Sequence, residues 1–274
     1  MIKPSEIQNK ASAVVVRDQQ IEKDYILSWI LQGVAENGNL AKALVFKGGT
    51  VLKKAYFKDY RFSEDLDFTL LNDEVTNDQI FKWFKETFEY ILEEANIPLG
   101  IIDNNEHEDA RLPDGQAGIN FYISYIGPLG GQGNNKRVKV DISRSEKLVF
   151  APVWQNIILN YSDQEEHKLL CYPLEEVLVE KLRSVMQRMQ ARDFYDIWYL
   201  LEIHGMEIEF YVPEFKAKCE GKGLNPLQFI EKLGQRLASY KGRWQKSMND
   251  QIKNLPDFDQ VEREVQRHIR KMEL

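Results

Sequence analysis

The sequence predicts an α+β protein: a mixed sheet flanked by helices, followed by a helical C-terminal lobe. Three observations carry that prediction. Short apolar or alternating segments with strand character fall between Leu44 and Ile142, interleaved with strongly periodic helical stretches. From Pro173 onward the apolar spacing is helical almost to the end. Breakers at Gly205, Pro213, Gly221–Gly223 and Pro256 cut that second half into separate helices. The boundary divides the chain into domains 1–172 and 173–274, read as two lobes with a cleft between them.

Residues 1–40 read as helical. Ile21, Tyr25, Trp29 and Ile30 recur at helical spacing, and Asn37-Gly38-Asn39 ends the segment. Leu44-Val45-Phe46 is a short buried strand, which Gly48-Gly49 turns into a helix bearing Val51, Leu52 and Ala55. Asp65 to Leu71 alternates as a second strand, with Leu66, Phe68 and Leu70 on one face and Asp65, Asp67 and Thr69 on the other. Asn77–Ala95 is an amphipathic helix with Ile80, Phe81, Phe84, Phe88, Ile91 and Leu92 along its apolar stripe. Strands follow at Leu99–Ile102, Gly118–Tyr125 and Val138–Ile142. The Gly127–Gly133 stretch joins the last two and reads as a flexible hairpin loop, because it lies between strands rather than before a helix. The second half gives helices at 174–190, 192–204, 226–240 and 257–272.

Composition narrows the class. The chain has 274 residues, 36 Lys+Arg against 43 Asp+Glu, and 43% hydrophobic residues, ordinary values for a globular protein. A net charge of -7 argues against nonspecific coating of nucleic acid, which rests on neutralised phosphates, but leaves room for a local basic groove. Cys171 and Cys219 are far apart and no Cys/His cluster has zinc spacing, so both read as thiols in a reducing compartment. No apolar run approaches the roughly 18 residues that span a bilayer, and the N-terminus lacks an apolar signal core. The expectation is a cytoplasmic protein with no membrane partner.

The stretch Val45–Phe68 carries the chemistry. Gly48 and Gly49 allow close backbone approach to a ligand, and the helix that follows offers unpaired N–H groups. The Thr50 and Ser63 hydroxyls are candidate phosphate donors, and Lys47 and Arg61 candidate neutralising charges. No Walker A loop occurs anywhere in the chain. On a strand, Asp65 and Asp67 project to one face, where a hard divalent ion such as Mg²⁺ would offset their repulsion. The bland alternative is a solvated edge. Nucleotide transfer also wants a third carboxylate to hold metal or draw a proton, and Asp141 in Val138–Ile142 has the phase for it. Lys139 and Ser143 share its face.

The helical half holds a second constellation. At about 100° per residue, Leu174, Val177, Leu178, Leu182, Val185 and Met189 form one apolar arc, and Lys181 falls inside it with Arg188 at its edge. A lysine at core phase either snorkels out or meets a fixed anion, for which a nucleotide phosphate is the favoured reading. Asp193 either caps a new helix or positions Lys181 or Arg188, meets a metal or meets an acceptor end; the pattern leaves these open.

In order, KGGTVLKKAYFKDYRFSEDLDF, VKVDIS, EEVLVEKLRSVMQRMQ and RDFYDIWYLLE resemble the nucleotidyltransferase-like toxins of the abortive-infection AbiEii/AbiGii family. Glu22-Lys23-Asp24-Tyr25 is similar to that family's N-terminal helix, and the resemblance covers roughly residues 20–205. It implies a DNA polymerase β-like nucleotidyltransferase core. By motif, Gly48, Gly49, Thr50 and Ser63 would serve the phosphates and Asp65 and Asp67 the metal. Asp141 would match the third-carboxylate position, Lys181 the essential lysine and Asp193 the final motif aspartate. It also implies an NTP substrate, a separate antitoxin protein and, as in some relatives, a tRNA 3′ end as acceptor.

The expectation is therefore Mg²⁺- or Mn²⁺-dependent transfer of NMP from an NTP to tRNA or another RNA by a toxin. Two alternatives stand beside it: an NTP-binding module acting through a protein partner without turnover, and a protein-modifying nucleotidyltransferase. The tail from Glu214 holds thirteen Lys/Arg against nine Asp/Glu, and Tyr240-Lys241-Gly242-Arg243-Trp244 mixes basic and aromatic residues. An RNA contact and a solvated helix surface explain that tail equally well.

Overall fold

The structure is a computed structural model that describes residues 1–102, 118–133, 136–144 and 146–274. Two compact units account for it: Met1–Glu146 with Pro152–Cys171, and Lys147–Ala151 with Tyr172–Leu274.

The first unit is built on a mixed seven-stranded sheet in the order β3-β4-β5-β2-β1-β7-β6. Its strands are β1 (Leu44–Lys47), β2 (Asp65–Leu70), β3 (Leu99–Ile102), β4 (Gly118–Tyr125), β5 (Arg137–Ser143), β6 (Val153–Asn156) and β7 (Lys168–Cys171). The central pair β2/β5 is parallel, and β1 and β4 flank it antiparallel. Period-2 alternation sorts the two faces. One carries Leu66, Phe68, Phe121, Ile123, Val138, Val140 and Ile142, all buried. Helix α5 (Asn77–Ala95) covers that face, with Phe81 and Phe84 set edge-on to Phe121 at 5.3 and 5.1 Å. Thr76 and Gln79 close a capping box at its start. The other face carries the polar set.

Helices α1 (Pro4–Val14), α2 (Asp18–Glu36) and α3 (Gly38–Ala43) precede the sheet. Asn37, expected to end α2, also starts α3: its side chain accepts from the N–H groups of Asn39 and Leu40. Helix α2 crosses α5 closely at Gly33, where a Cβ would come within 2.6 Å of Thr87. A buried polar cluster fixes α2 to the helical turn after β1. Lys54 Nζ lies 2.8 Å from Asp24 Oδ2 and donates to Ser28 Oγ at 2.6 Å, while the Tyr161 hydroxyl donates to Asp24 at 2.8 Å. An ammonium this deep is stable only because an anion and further acceptors surround it.

The second unit is helical: α6 (Leu174–Gln187), α7 (Ala191–Trp198), α8 (Val212–Glu220), α9 (Phe229–Met248) and α10 (Phe258–Ile269). Pro213, read from sequence as a breaker, sits in the first turn of α8, where its missing N–H costs nothing. Helix α6 ends at Gln187, so Met189 falls outside the apolar arc and is exposed. Phe194 stacks on Tyr240 at 5.4 Å, and Trp244 meets Phe258 edge-on at 5.3 Å. A buried Glu176–Lys218 pair at 2.5 Å secures the Lys147–Ala151 segment: Glu176 accepts from the Val149 and Phe150 N–H groups, and Lys218 donates to the Lys147 carbonyl. Among the described residues no helix is long and apolar enough to cross a membrane.

Candidate functional site

Leu66 points into the core between Asp65 and Asp67, so both carboxylates rise from the polar face of β2. The parallel register of β5 sets Asp141 beside Asp67 and Lys139 beside Asp65. On the other side, β1 sets Lys47 opposite Asp67. On β4, Asn120 stands opposite Asp141 and Tyr122 opposite Lys139. Three neighbouring strands thus bring three carboxylates and two lysines to one end of one face.

Lys139 Nζ lies 2.6 Å from Asp141 Oδ2. The other oxygen, Oδ1, is buried and accepts no hydrogen bond. Burial raises the pKa of the Asp141 carboxyl and Asp65 adds to the rise, against the pull of Lys139 and Lys47. Burial works against the charge on Lys139, but Asp141, Asp65 and Asp67 outweigh it and raise its pKa.

The turn after β1 is shaped around Asp67. Gly48 has φ +80°, and a Cβ there would stand 2.9 Å from Asp67 Cγ and overlap Oδ2. The position demands glycine twice, for its backbone angle and for its space. Gly49 and Thr50 follow within the short helix α4 (Gly48–Val51 on this chain), which continues as a wider turn through Tyr56. The Thr50 hydroxyl donates to the Asp65 carbonyl oxygen at 2.5 Å and ties the turn to β2. That bond uses its single proton, so Thr50 positions Asp65 as the structure stands. Arg61 is buried, with its guanidinium donating to the Phe62 carbonyl at 3.1 Å and lying 5.6 Å from the Tyr60 ring centre. Ser63 is buried two residues before Asp65.

The helical unit brings together the other expected residues. Lys181 is 4% exposed on the inner face of α6, and its Nζ lies 2.7 Å from Asp193 Oδ1 and 2.7 Å from Asp196 Oδ2. The anion that a core-phase lysine requires is therefore present in the protein itself; a bound phosphate is not needed to explain the burial. Asp193 does not cap α7, whose N-cap is Gln190. Instead it also takes Arg188 in a fork, Nε at 2.7 Å and a terminal nitrogen at 3.1 Å. Burial alone would push the Asp193 carboxyl up, but Arg188 and Lys181 hold it well below the usual carboxylate range. Asp196 stands three residues after Asp193 on α7. Its role needed the turn between α6 and α7.

Within the tail, the two aromatic rings of the Tyr240–Trp244 segment lie in the core. Tyr240 and Trp244 are core residues, Arg243 donates to the Met189 carbonyl, Arg236 to the Val185 carbonyl, and Lys241 pairs with Asp259. Neither aromatic ring of this segment is available for base stacking.

The family model for the nucleotidyl transferase AbiEii toxin of type IV toxin–antitoxin systems matches residues 29–264, well over half of the chain. The chain belongs to the AbiEii family. Its fold agrees with that of MenT4, a nucleotidyltransferase toxin from Mycobacterium tuberculosis, with a TM-score of 0.70 and 16% identity over 100% of this chain and 91% of MenT4. An antigenic nucleotidyltransferase-like protein from Paracoccidioides brasiliensis aligns over 83% of this chain and 94% of its own at 15% identity, with a TM-score of 0.39. Among curated proteins no sequence matches.

An AbiEii nucleotidyltransferase implies an NTP substrate and usually a divalent metal, and the sheet-end cluster fits a hard cation. Its donors are all carboxylate oxygens, one of them buried without a partner. Among the described residues no three His, Cys, Asp or Glu side chains stand close enough together to hold a metal ion by themselves. Mg²⁺ sites of this kind are completed by substrate phosphates.

Proposed function

We propose that this AbiEii-family toxin transfers a nucleoside monophosphate from an NTP to an RNA acceptor, the 3′ end of tRNA, in a reaction that requires Mg²⁺ or Mn²⁺. One observation carries the reading: Asp67 is flanked in register by Lys47 and Asp141 and abutted by a turn that only Gly48 can make. Asp65, Asp67 and Asp141 would hold the metal, which when bound neutralises the triphosphate and the departing pyrophosphate. The Gly48-Gly49 turn, with Lys47 beside it, receives phosphate oxygens, together with Arg61 and Ser63, and Thr50 ties that turn to the start of β2. The acceptor hydroxyl oxygen attacks the α-phosphorus in line, the bond to the bridging oxygen breaks and pyrophosphate leaves. Asp141 takes the hydroxyl proton. In the helical unit Asp193 and Asp196 fix Lys181, and Asp193 also holds the half-exposed Arg188 side chain. The protein acts in the cytoplasm, where NTP and tRNA are found, and is opposed by a cognate antitoxin.

Purified protein incubated with each α-labelled NTP, total RNA and cell protein tests this directly. Label should enter RNA only with divalent metal, and Asp65→Ala or Asp67→Ala should remove it. Label in protein bands would replace the acceptor with a polypeptide. NTP binding without any labelled product would make the chain a nucleotide-binding module acting through a partner.

A further inference from the structure

Lys139 is the one charged group of the sheet-end cluster to which the proposed reaction assigns no task. It stands on β5 two residues before Asp141 and opposite Asp65, so its side chain shares the face of all three carboxylates. Its ammonium already sits on Asp141 Oδ2 at 2.6 Å, with both side chains largely shielded from solvent. An ammonium and a divalent ion want the same oxygens. With Lys47 opposite Asp67, Lys139 brings the net charge of the three-carboxylate cluster from minus two to minus one, and it holds one of the oxygens that a metal would use. The Oδ1 atom of the same carboxylate, buried and unpartnered, shows that this ion pair leaves Asp141 incompletely satisfied. A lysine on a flexible four-carbon stem can move its point charge to a new anion without disturbing the strand.

We propose that Lys139 is a resident counter-ion that keeps divalent metal off Asp65, Asp67 and Asp141 until an NTP arrives. The triphosphate then draws the ammonium away from Asp141, so metal binding is coupled to nucleotide binding. Lys139 is in this sense a positioning residue for the reaction proposed above, on which the inference rests. The consequence is an order of events: the protein without nucleotide has weak affinity for free Mg²⁺ or Mn²⁺, and gains it when a triphosphate is present. Such coupling must be reciprocal, so metal tightens nucleotide by the same factor.

Mn²⁺ titration, followed by loss of the free-ion electron paramagnetic resonance signal beyond that caused by the analogue alone, tests this without turnover. The arms are wild type, Lys139→Met and Lys139→Gln, each alone and with an α,β-methylene NTP analogue. Without nucleotide, either variant should bind Mn²⁺ about tenfold more tightly than wild type or better, the scale expected for removing an opposing charge within about 4–6 Å. Adding Asp141→Asn to Lys139→Met should return affinity to the wild-type level. With the analogue, wild type should tighten and the gap should shrink. If a folded Lys139 variant binds Mn²⁺ no better than wild type while all forms bind it with the analogue, the counter-ion role is overturned and the metal-dependent reaction survives. If no form binds Mn²⁺ even with the analogue, the metal-dependent reading falls and this inference with it.

Discussion

Gly48→Ala is the substitution for which the structure gives the most definite consequence. At φ +80° a side chain costs roughly 1–2 kcal/mol relative to glycine. The added methyl would also stand 2.9 Å from Asp67 Cγ and 3.0 Å from its Cβ, where carbon atoms pack at about 3.5–4.0 Å. Asp67 or the turn must therefore give way by roughly 0.5–1 Å. The stability loss should lower Tm by about 2–8 °C for a chain of this size. The displacement should cost far more in function, because a misplacement of about 1 Å can lower a rate by about a hundredfold. Thermal melts and α-labelled NTP transfer to RNA read the two effects separately. An Asp67→Gly background removes the group that the methyl strikes, so a double-mutant cycle should leave only the backbone-angle part of the stability loss. A Gly48→Ala protein with wild-type melting and wild-type transfer would refute the reasoning, since neither the strain nor the contact with Asp67 could then be real.

Other expectations follow from the same geometry. Asp193→Asn removes the shared partner of Lys181 and Arg188 and should destabilise the fold by about 2–3 kcal/mol, mostly through the buried Lys181 arm because Arg188 is half exposed. Denaturant titrations on both proteins measure it. Because the folded Asp193 carboxyl is held below its unfolded value, its stabilising contribution is complete above about pH 4 and is lost as pH falls through the depressed folded value. Acid titration of stability should therefore be flatter in the Asn variant, and parallel curves would contradict the assignment. Lys54→Met leaves Asp24 buried without its cation and should cost about 3–5 kcal/mol in chemical denaturation. Trp244→Phe, at a core position, should lower Tm while leaving RNA labelling per folded molecule unchanged; a selective loss of RNA labelling would restore a nucleic-acid role to that segment.

Much of the sheet-end cluster was legible in the sequence because strand alternation is a strict rule. Asp65, Asp67 and Asp141 have only one face available once Leu66, Val140 and Ile142 are assigned to the core. Gly48-Gly49 marked a turn by residue type, although its fit against Asp67 needed coordinates. Lys139 was placed on the correct face, but the choice of its ammonium between solvent and Asp141 is a matter of rotamer and neighbours. Lys181 shows the converse limit: its phase announced a buried cation, yet the anions lie twelve and fifteen residues on and meet it only through the turn at 188–190. Strands β6 and β7 were invisible because four residues of mixed polarity give almost no period. Helix α8 was hidden by Pro213, which punctuates a helix interior but is welcome in a first turn.

The most direct test of the central claim is metal rescue at Asp67, the residue on which the strand register and the glycine turn converge. An Asp67→Cys protein replaces a hard oxygen ligand with a soft thiolate. Transfer of label from NTP to RNA should vanish with Mg²⁺ and return at least in part with Mn²⁺ or Cd²⁺, while wild type works with Mg²⁺. Undiminished Mg²⁺-dependent transfer by Asp67→Cys would contradict the claim that this carboxylate holds the metal.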